Sequence, residues 1–187
     1  MCGICGVAYS DRQHPVDPAM LAHMTLLLAH RGPDSDGFFL RPGIGLGFRR
    51  LSIIDLDTGD QPIENEDRTL TLVCNGEIYN AVELCETLEA RGHTFRTRSD
   101  VEAILHLYEE HGTDLLPHLR GMFGFALWDS SRRRLLLAGD RLGIKPLYWA
   151  ESGGNLLFGS EMKSLLAADM TPKTLDPAAL RDLFEFG

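Results

Sequence analysis

The sequence contains no run of about 20 apolar residues, the length that a membrane-spanning helix needs, and its N-terminus lacks the charged and apolar regions of a signal peptide. Basic residues are also few. The 18 Lys and Arg residues stand against 27 Asp and Glu, for a net charge of -9, which opposes the phosphate neutralisation that nucleic-acid binding requires. We therefore expect a cytoplasmic protein that binds neither a membrane nor nucleic acid.

Cysteine is scarce as well, with only Cys2, Cys5, Cys74 and Cys85 among 187 residues. This number does not suggest a disulfide scaffold in a chain with so much apolar sequence, and in a reducing compartment all four would stay thiols. The length and the 44% hydrophobic content are typical of one globular domain. We expect a single domain over residues 1–187, and a late helix near its end suggests that a longer polypeptide continues beyond it.

Local patterns predict alternating strands and helices. Asp17 and Pro18 mark a helix start, because aspartate caps the first amide groups and proline fits the first helical position. Ser99 and Glu102 have the spacing of a capping box. Strands joined by short turns, with the helices in two groups, predict an α+β fold of antiparallel sheets covered by helices. The predicted strands are 2–9, 37–40, 44–48, 69–74, 121–129 paired with 134–140, and 147–150 paired with 156–160; the predicted helices are 19–30, 81–91, 100–111 and one that begins at Asp176-Pro177.

The opening residues MCGIC have three interpretations. Cys2-x-x-Cys5 has the spacing of thiol redox pairs and zinc knuckles, but no second C-x-x-C follows and the seven histidines are scattered. A small buried strand residue is an adequate account of Cys5. For Cys2 a third interpretation is available, because removal of Met1 would place a thiol and a free α-amine on one residue. Ordinary pKa values of about 8.5 for a thiol and about 7.7 to 8.0 for an α-amine let the amine accept the thiol proton.

Motifs along nearly the whole chain resemble the glutaminase domain of class II glutamine amidotransferases, and most closely that of glutamine-hydrolysing asparagine synthetases. The resemblance implies an N-terminal nucleophile (Ntn) hydrolase fold, a four-layer αββα sandwich of two antiparallel sheets between helical layers. The motifs that carry it, in chain order, are MCGICG, HRGPD, RRLSIIDL, GDQPI, NGEIYN, RSDVE, GMFGFALWD, GDRLGIKPLYW and FGSEMKSLL.

The resemblance implies that the Cys2 thiolate attacks the side-chain amide of L-glutamine, forms a glutamyl thioester and releases ammonia, after which water releases glutamate. It also implies that a downstream synthetase domain uses this ammonia in an ATP-dependent amidation, of aspartate to asparagine in the most similar family. ATP and Mg²⁺ would belong to that domain, whose S-G-G-x-D-S signature is absent here, and we expect no cofactor or metal in residues 1–187. A homodimer is compatible with the resemblance, and the ammonia acceptor is open.

Further site residues follow from the same resemblance. Asn75 and Gly76 would form the oxyanion hole, through the asparagine NH2 and the glycine N–H; a plain Asn-Gly hairpin turn is the structural alternative. Arg50 would bind the substrate α-carboxylate, although the residue pattern alone does not choose between it and Arg49. The neighbouring pocket wall would come from Leu51 and the backbone around Ile53 and Ile54.

Glu77 and Asp100 would hold the substrate α-ammonium group, although an acidic residue in a first helical turn is favourable without any ligand. Arg31 and Asn80 would support the site, with Arg31 ordering a loop over glutamine. Two alternatives stay open. Cys5 could form a disulfide with Cys2, and the chain could be a non-catalytic glutamine-binding regulatory module in which Met1 masks Cys2.

Overall fold

The computed structural model describes residues 1–171 and 173–186. These residues form two antiparallel sheets. The first, sheet A, has the strand order β2-β3-β1-β9-β8, and the second, sheet B, has the order β4-β5-β6-β7. The strands are β1 (Gly3–Ala8), β2 (Ser35–Arg41), β3 (Ile44–Arg50), β4 (Ile63–Glu64), β5 (Leu70–Ile78), β6 (Gly121–Asp129), β7 (Arg134–Gly139), β8 (Tyr148–Ser152) and β9 (Asn155–Gly159).

The described residues form five helices, of which the first four cover the outer faces of the sheets. They are α1 (Pro18–Leu26), α2 (Ala81–Glu89), α3 (Ala103–His111), α4 (Met162–Leu166) and α5 (Pro177–Phe186), with 3-10 turns at Asp100–Glu102 and Gly112–His118. Residues of α1 and α4 pack with those of sheet A in one apolar cluster, and residues of α2 and α3 pack with those of sheet B in another. A third cluster fills the space between the sheets. The predicted α+β sandwich with four layers is therefore confirmed.

Side-chain alternation separates these layers. On β1, Ile4 faces the other sheet whereas Cys5 and Val7 face α1. On β5, Val73 faces sheet A whereas Leu72 faces the helices. Because successive side chains of a strand point to opposite faces, every residue with the parity of Ile4 or Val73 is directed into the layer between the sheets. This rule positions the site described below.

Most predicted elements are confirmed, and their local causes are visible. The Asp17 carboxylate accepts a hydrogen bond from the Ala19 amide at 2.9 Å, and Pro18 occupies the first helical position. Both hairpins form where they were predicted, β6 with β7 and β8 with β9. The second one turns at Gly153 and Gly154, whose φ angles of 58° and 79° favour glycine. Helix α1 ends at Leu26 rather than at residue 30.

Two local predictions are wrong. Asn75 and Gly76 do not form a turn, because β5 continues to Ile78 and its pairing with β6 overrides the local turn preference of Asn-Gly. The capping box is also absent: the Glu102 carboxylate instead accepts the amide N–H groups of Arg96 and Thr97, each at 2.8 Å. The helix predicted over residues 100–111 accordingly begins as a 3-10 turn, and α3 proper starts at Ala103.

Helix α5 begins at Pro177 as predicted, and all its residues are exposed, including Leu183, Phe184 and Phe186. Gly187, the last residue of the predicted domain 1–187, lies outside the described residues. None of the described helices is long and apolar enough to cross a bilayer.

Candidate active site

Three predicted site residues, which lie on or just before three different strands, meet at one end of the layer between the sheets. Cys2 precedes β1 and has the parity of Ile4, Arg50 ends β3 on the face that Phe48 occupies, and Asn75 follows Val73 on β5. They border a cleft of about 90 Å³ that is partly open to solvent and has Met1 among its lining residues. The cleft is lined by Met1, Cys2, Phe48, Arg50, Leu51, Ile53, Ile54, Gly59, Gln61, Cys74, Asn75, Gly76, Glu77, Ser99, Asp100 and Lys145.

The Cys2 thiol is half-buried in this cleft. Its Sγ lies 3.4 Å from the amide nitrogen of Leu51 and 3.6 Å from the Leu51 carbonyl oxygen. Behind it, Arg31 donates from Nε to the Cys2 carbonyl at 3.0 Å and forms an ion pair with Glu161 at 3.0 Å. Arg31 therefore anchors the backbone of Cys2 and does not line the cleft.

Three basic side chains contact the Glu161 carboxylate. Hydrogen bonds from Arg31, His30 and Lys163 outweigh the opposing effect of partial burial and lower the pKa of this carboxyl to about 2. The Glu161 carboxylate consequently stays ionised at neutral pH, and with it the brace that holds Arg31 against Cys2.

Met1 occupies part of the cleft. Its α-amino group donates to the Arg31 carbonyl oxygen at 3.2 Å, and its Sδ lies 3.2 Å from the Nζ of Lys145. Lys145 is buried, and sequence reasoning missed it as a residue of the cleft although it lies in the quoted motif GDRLGIKPLYW. With Met1 in place the free α-amine is that of Met1, so Cys2 cannot use its own nitrogen as a base.

The Asn75 side chain offers an unused donor. It is 1% exposed, and its Nδ2 is a buried atom with no hydrogen-bond partner. A buried amide without a partner is costly, and because Asn75 is one of the residues that line the cleft, a ligand oxygen that reaches Nδ2 could accept its hydrogen bond. Asn75 thus has the position and the free donor that an oxyanion hole needs.

Gly76 contributes a second donor through its backbone. The amide N–H groups of Cys74 and Ile78, two residues to either side, donate to the side chains of Gln61 and Asp100, which lie away from β6. Alternate amides of an antiparallel strand point the same way, so the Gly76 N–H is also directed away from β6 and into the cleft. Gln61, which sequence reasoning also missed, orders this strand edge by bonding both the N–H and the C=O of Cys74.

Arg49 and Arg50 face opposite ways, which resolves the choice that the sequence pattern left open. Arg50 is 6% exposed and lines the cleft, where its guanidinium donates to the Asp60 carboxylate at 2.8 Å and to the Asp55 carbonyl oxygen. Arg49 binds Asp36 at 2.9 Å outside the cleft. The sequence analysis chose Arg50 on the resemblance alone, and the shared parity of Arg50 and Phe48 on β3 is the structural reason for that choice.

The loop after β3 forms the rim of the cleft. Leu51, Ile53 and Ile54 all line it, and the side chains of Ile53 and Ile54 are 63% and 43% exposed. Large apolar side chains at an open rim are available to cover a bound ligand. The structure therefore places these three predicted residues together with Arg50.

Two carboxylates, Glu77 and Asp100, also line the cleft. Asp100 accepts the amide N–H of Ile78, and burial raises the pKa of its carboxyl, an effect to which the neighbouring Glu77 adds. The cleft therefore combines a guanidinium with two carboxylates. This combination suits a ligand that carries both an α-carboxylate and an α-ammonium group.

Asn80 and Cys5 lie elsewhere. Asn80 accepts the Arg120 amide at 2.9 Å and donates to the His118 carbonyl at 3.0 Å, so it ties the start of α2 to the segment that enters β6. Cys5 faces α1, where its Sγ lies 3.3 Å from Thr25 Oγ1, and burial raises the pKa of its thiol to about 12. Cys2 and Cys5 lie on opposite faces of the β1 segment and both are free thiols, so the structure does not support the disulfide that the sequence left open.

Comparisons with known proteins identify the family of the chain. The family described as glutamine amidotransferase domain matches residues 1–187. Asparagine synthetase [glutamine-hydrolyzing] 1 of Bacillus subtilis is 42% identical over all of this chain and 30% of its own length. Asparagine synthetase [glutamine-hydrolyzing] 2 of Arabidopsis thaliana is 43% identical over 88% of this chain and 28% of its own length. The chain thus spans about 30% of the length of these curated relatives.

A solved structure shares the fold. The glutamine phosphoribosylpyrophosphate amidotransferase of B. subtilis, complexed with ADP and GMP, superposes with a TM-score of 0.74 over 91% of this chain and 44% of its own, at 22% sequence identity. This similarity extends to the two antiparallel sheets between helical layers described above.

Proposed function

Because this chain belongs to the glutamine amidotransferase domain family, whose match covers residues 1–187, we propose that it hydrolyses the side-chain amide of L-glutamine to glutamate and ammonia. One observation carries the proposal: a cysteine thiol, an unpartnered buried amide donor, a guanidinium and two carboxylates border a single cleft. These are the groups that an amide-cleaving nucleophile and an amino-acid substrate require.

The proposed reaction begins once the Met1–Cys2 peptide bond has been cleaved. The α-amine of Cys2 accepts the thiol proton, and the thiolate attacks the amide carbon of glutamine. The resulting oxyanion accepts hydrogen bonds from Asn75 Nδ2 and the Gly76 N–H. The C–N bond then breaks, and the ammonium of Cys2 protonates the departing nitrogen, so that ammonia and a glutamyl thioester form. Water, deprotonated by the same amine, attacks the thioester and releases glutamate and the Cys2 thiol.

The substrate backbone is proposed to bind at the charged part of the cleft. The glutamine α-carboxylate takes the place of the Asp60 carboxylate on Arg50 and forms two parallel hydrogen bonds. The α-ammonium group binds Glu77 and Asp100. Leu51, Ile53 and Ile54 cover the bound molecule from the rim.

We propose further that the ammonia supplies an ATP- and Mg²⁺-dependent synthetase domain in the same polypeptide, with aspartate as the acceptor. Support comes from the relatives, which are glutamine-hydrolysing asparagine synthetases, and from the chain's 30% share of their length. The exposed apolar side chains of α5 fit a partner domain as well. The cytoplasmic location, the homodimer and the lack of nucleic-acid binding stay predictions from the sequence.

A non-catalytic glutamine-binding module is the second candidate, favoured by the place of Met1 in the cleft. The two are separated by the intact mass of the purified protein after exposure to an electrophilic glutamine analogue. Loss of methionine together with one adduct on Cys2 is expected for the amidotransferase. Methionine-free protein that takes no adduct on Cys2 and releases no glutamate would contradict the enzymatic proposal, and glutamine binding by such a protein would favour the module.

Replacement of Arg50 by lysine tests the substrate site. Lysine keeps the charge but cannot form two parallel hydrogen bonds with a carboxylate, and one lost charged hydrogen bond corresponds to a KM increase of roughly 10- to 100-fold. We expect kcat to change much less. Steady-state glutaminase kinetics measure both values. Arg49→Lys is the matched control, since Arg49 binds Asp36 outside the cleft, and an equal rise in KM for both variants would contradict the assignment.

A further inference from the structure

A second cluster of chemically versatile side chains lies on the far side of sheet B, within the helical layer. It brings together Glu66 from the turn before β5, His93 from the segment after α2, and His106 and Glu109 from α3. Ligand atoms of Glu66, His93 and His106 all lie within 4.8 Å of one another. The proposed glutaminase reaction uses none of these residues.

We propose that Glu66, His93, His106 and Glu109 form a structural site for a divalent transition-metal ion, with Zn²⁺ as the best-suited ion. Two imidazoles with two carboxylates form a borderline donor set that suits zinc, whereas Mg²⁺ and Ca²⁺ prefer oxygen donors alone.

The distances between the ligand atoms fit a tetrahedron. Glu109 Oε2 lies 2.9 Å from His106 Nδ1 and 3.1 Å from His93 Nδ1, and Glu66 Oε2 lies 3.9 Å from His106 Nδ1. Four ligands at about 2.0 to 2.1 Å from a zinc ion are separated by roughly 3.3 Å along each tetrahedral edge. These three of the six distances scatter around that value; Glu66, His93 and His106 already converge, and a side-chain rotation of Glu109 would complete the tetrahedron.

The groups behind the ligands are arranged as zinc sites require. Each carboxylate is held by one oxygen and turns the other toward the histidines: Glu66 Oε1 accepts the Thr94 amide at 2.9 Å, and Glu109 Oε1 accepts Asn65 Nδ2 at 2.7 Å. A ligating histidine usually presents its second ring nitrogen to a carboxylate. His93 does so with Glu110, at 3.0 Å.

His106 provides an independent indication. Its side chain is fully buried, and its Nε2 has no hydrogen-bond partner, with the nearest carboxylate oxygen, that of Glu102, at 3.8 Å. Coordination through Nδ1 would fix the proton on Nε2 and direct it toward that carboxylate. The local charge also favours a cation, because Glu102 and Glu110 add to the two ligand carboxylates, and Arg91 neutralises only one of the four.

The site is tested by calorimetric titration of Zn²⁺ into chelator-treated protein of full length. A Cys2→Ala, Cys85→Ala background removes the two partly exposed thiols that would compete. One ion per chain is expected to bind with a Kd below about 1 µM, and Co²⁺ in its place is expected to show tetrahedral visible absorption without a thiolate charge-transfer band.

Two ligand variants and a control complete the test. His93→Gln is expected to weaken Zn²⁺ binding at least about 100-fold, and Glu66→Gln, which keeps its bond to the Thr94 amide, about 10-fold or more. His23→Gln, on the exposed face of α1, leaves the affinity unchanged. The proposal would be overturned if no saturable binding occurred at one ion per chain, or if the well-folded Glu66→Gln variant bound Zn²⁺ with unchanged affinity. The cluster would then be a hydrogen-bond network between histidines and carboxylates without a metal.

Discussion

Replacing Cys2 with alanine is expected to lower kcat for glutamine hydrolysis by roughly 10⁴-fold or more, the scale seen when an enzyme loses its nucleophile. Glutamine should still bind with nearly unchanged affinity, because Arg50, Glu77 and Asp100 stay in place. The fold should also tolerate the change, since Cys2 is only half-buried and its thiol makes two weak contacts, both with Leu51. Glutamate release and calorimetric binding of glutamine measure the two effects separately.

Cys85→Ala is the matched control for thiol removal, because Cys85 is a half-buried cysteine on α2 outside the cleft. It should retain full activity. A second comparison uses wild-type protein with Met1 retained, in which the α-amine belongs to the wrong residue, and its activity should be as low as that of Cys2→Ala. Substantial glutamate release by Cys2→Ala would show that another group is the nucleophile, and release by the protein that retains Met1 would show that the α-amine of Cys2 is not the required base.

Much of the fold could be predicted because the relevant signals are local. Asp17 and Pro18 start α1 through contacts within one turn, and paired glycines reverse the chain between β8 and β9. The predicted turn at Asn75-Gly76 was wrong because a distant interaction outweighs a local preference. Asn-Gly favours a turn locally, but β5 pairs with β6 over nine residues. That partner strand lies more than forty positions further along the chain.

For the site, too, local signals could be recognised in the sequence, whereas contacts between distant segments could not. The parity of Arg50 with Phe48 on β3 was present in the sequence, but its use required knowing which face of the sheet meets the second sheet. Lys145 reaches the cleft from a segment far from Cys2 in sequence, so no spacing rule could place it there. The cluster around His106 was missed likewise, because its residues come from three separate segments and show no metal-binding motif.

The strand geometry at Asn75 also decides how the oxyanion hole can be tested. A side chain on Gly76 would meet the Met122 carbonyl oxygen and the Phe123 backbone of β6, so a Gly76 variant would damage the sheet and the donor together. The backbone N–H of Gly76 is therefore beyond simple mutation. Asn75 contributes a side-chain donor from the same strand, and this donor can be removed alone.

Asn75→Ala is expected to reduce kcat by about 10²- to 10³-fold, which corresponds to roughly 3 to 4 kcal/mol of lost transition-state stabilisation. KM should change little, because Nδ2 meets its acceptor fully only when the oxyanion forms. The fold should survive, because the substitution removes a buried donor that has no partner in the free protein. Asn155→Ala, at the start of β9 and outside the cleft, controls for loss of an amide side chain, here one whose Oδ1 accepts the Ser10 amide. A rise in KM with unchanged kcat would mean that Asn75 binds the ground state of glutamine, and the oxyanion assignment would fail.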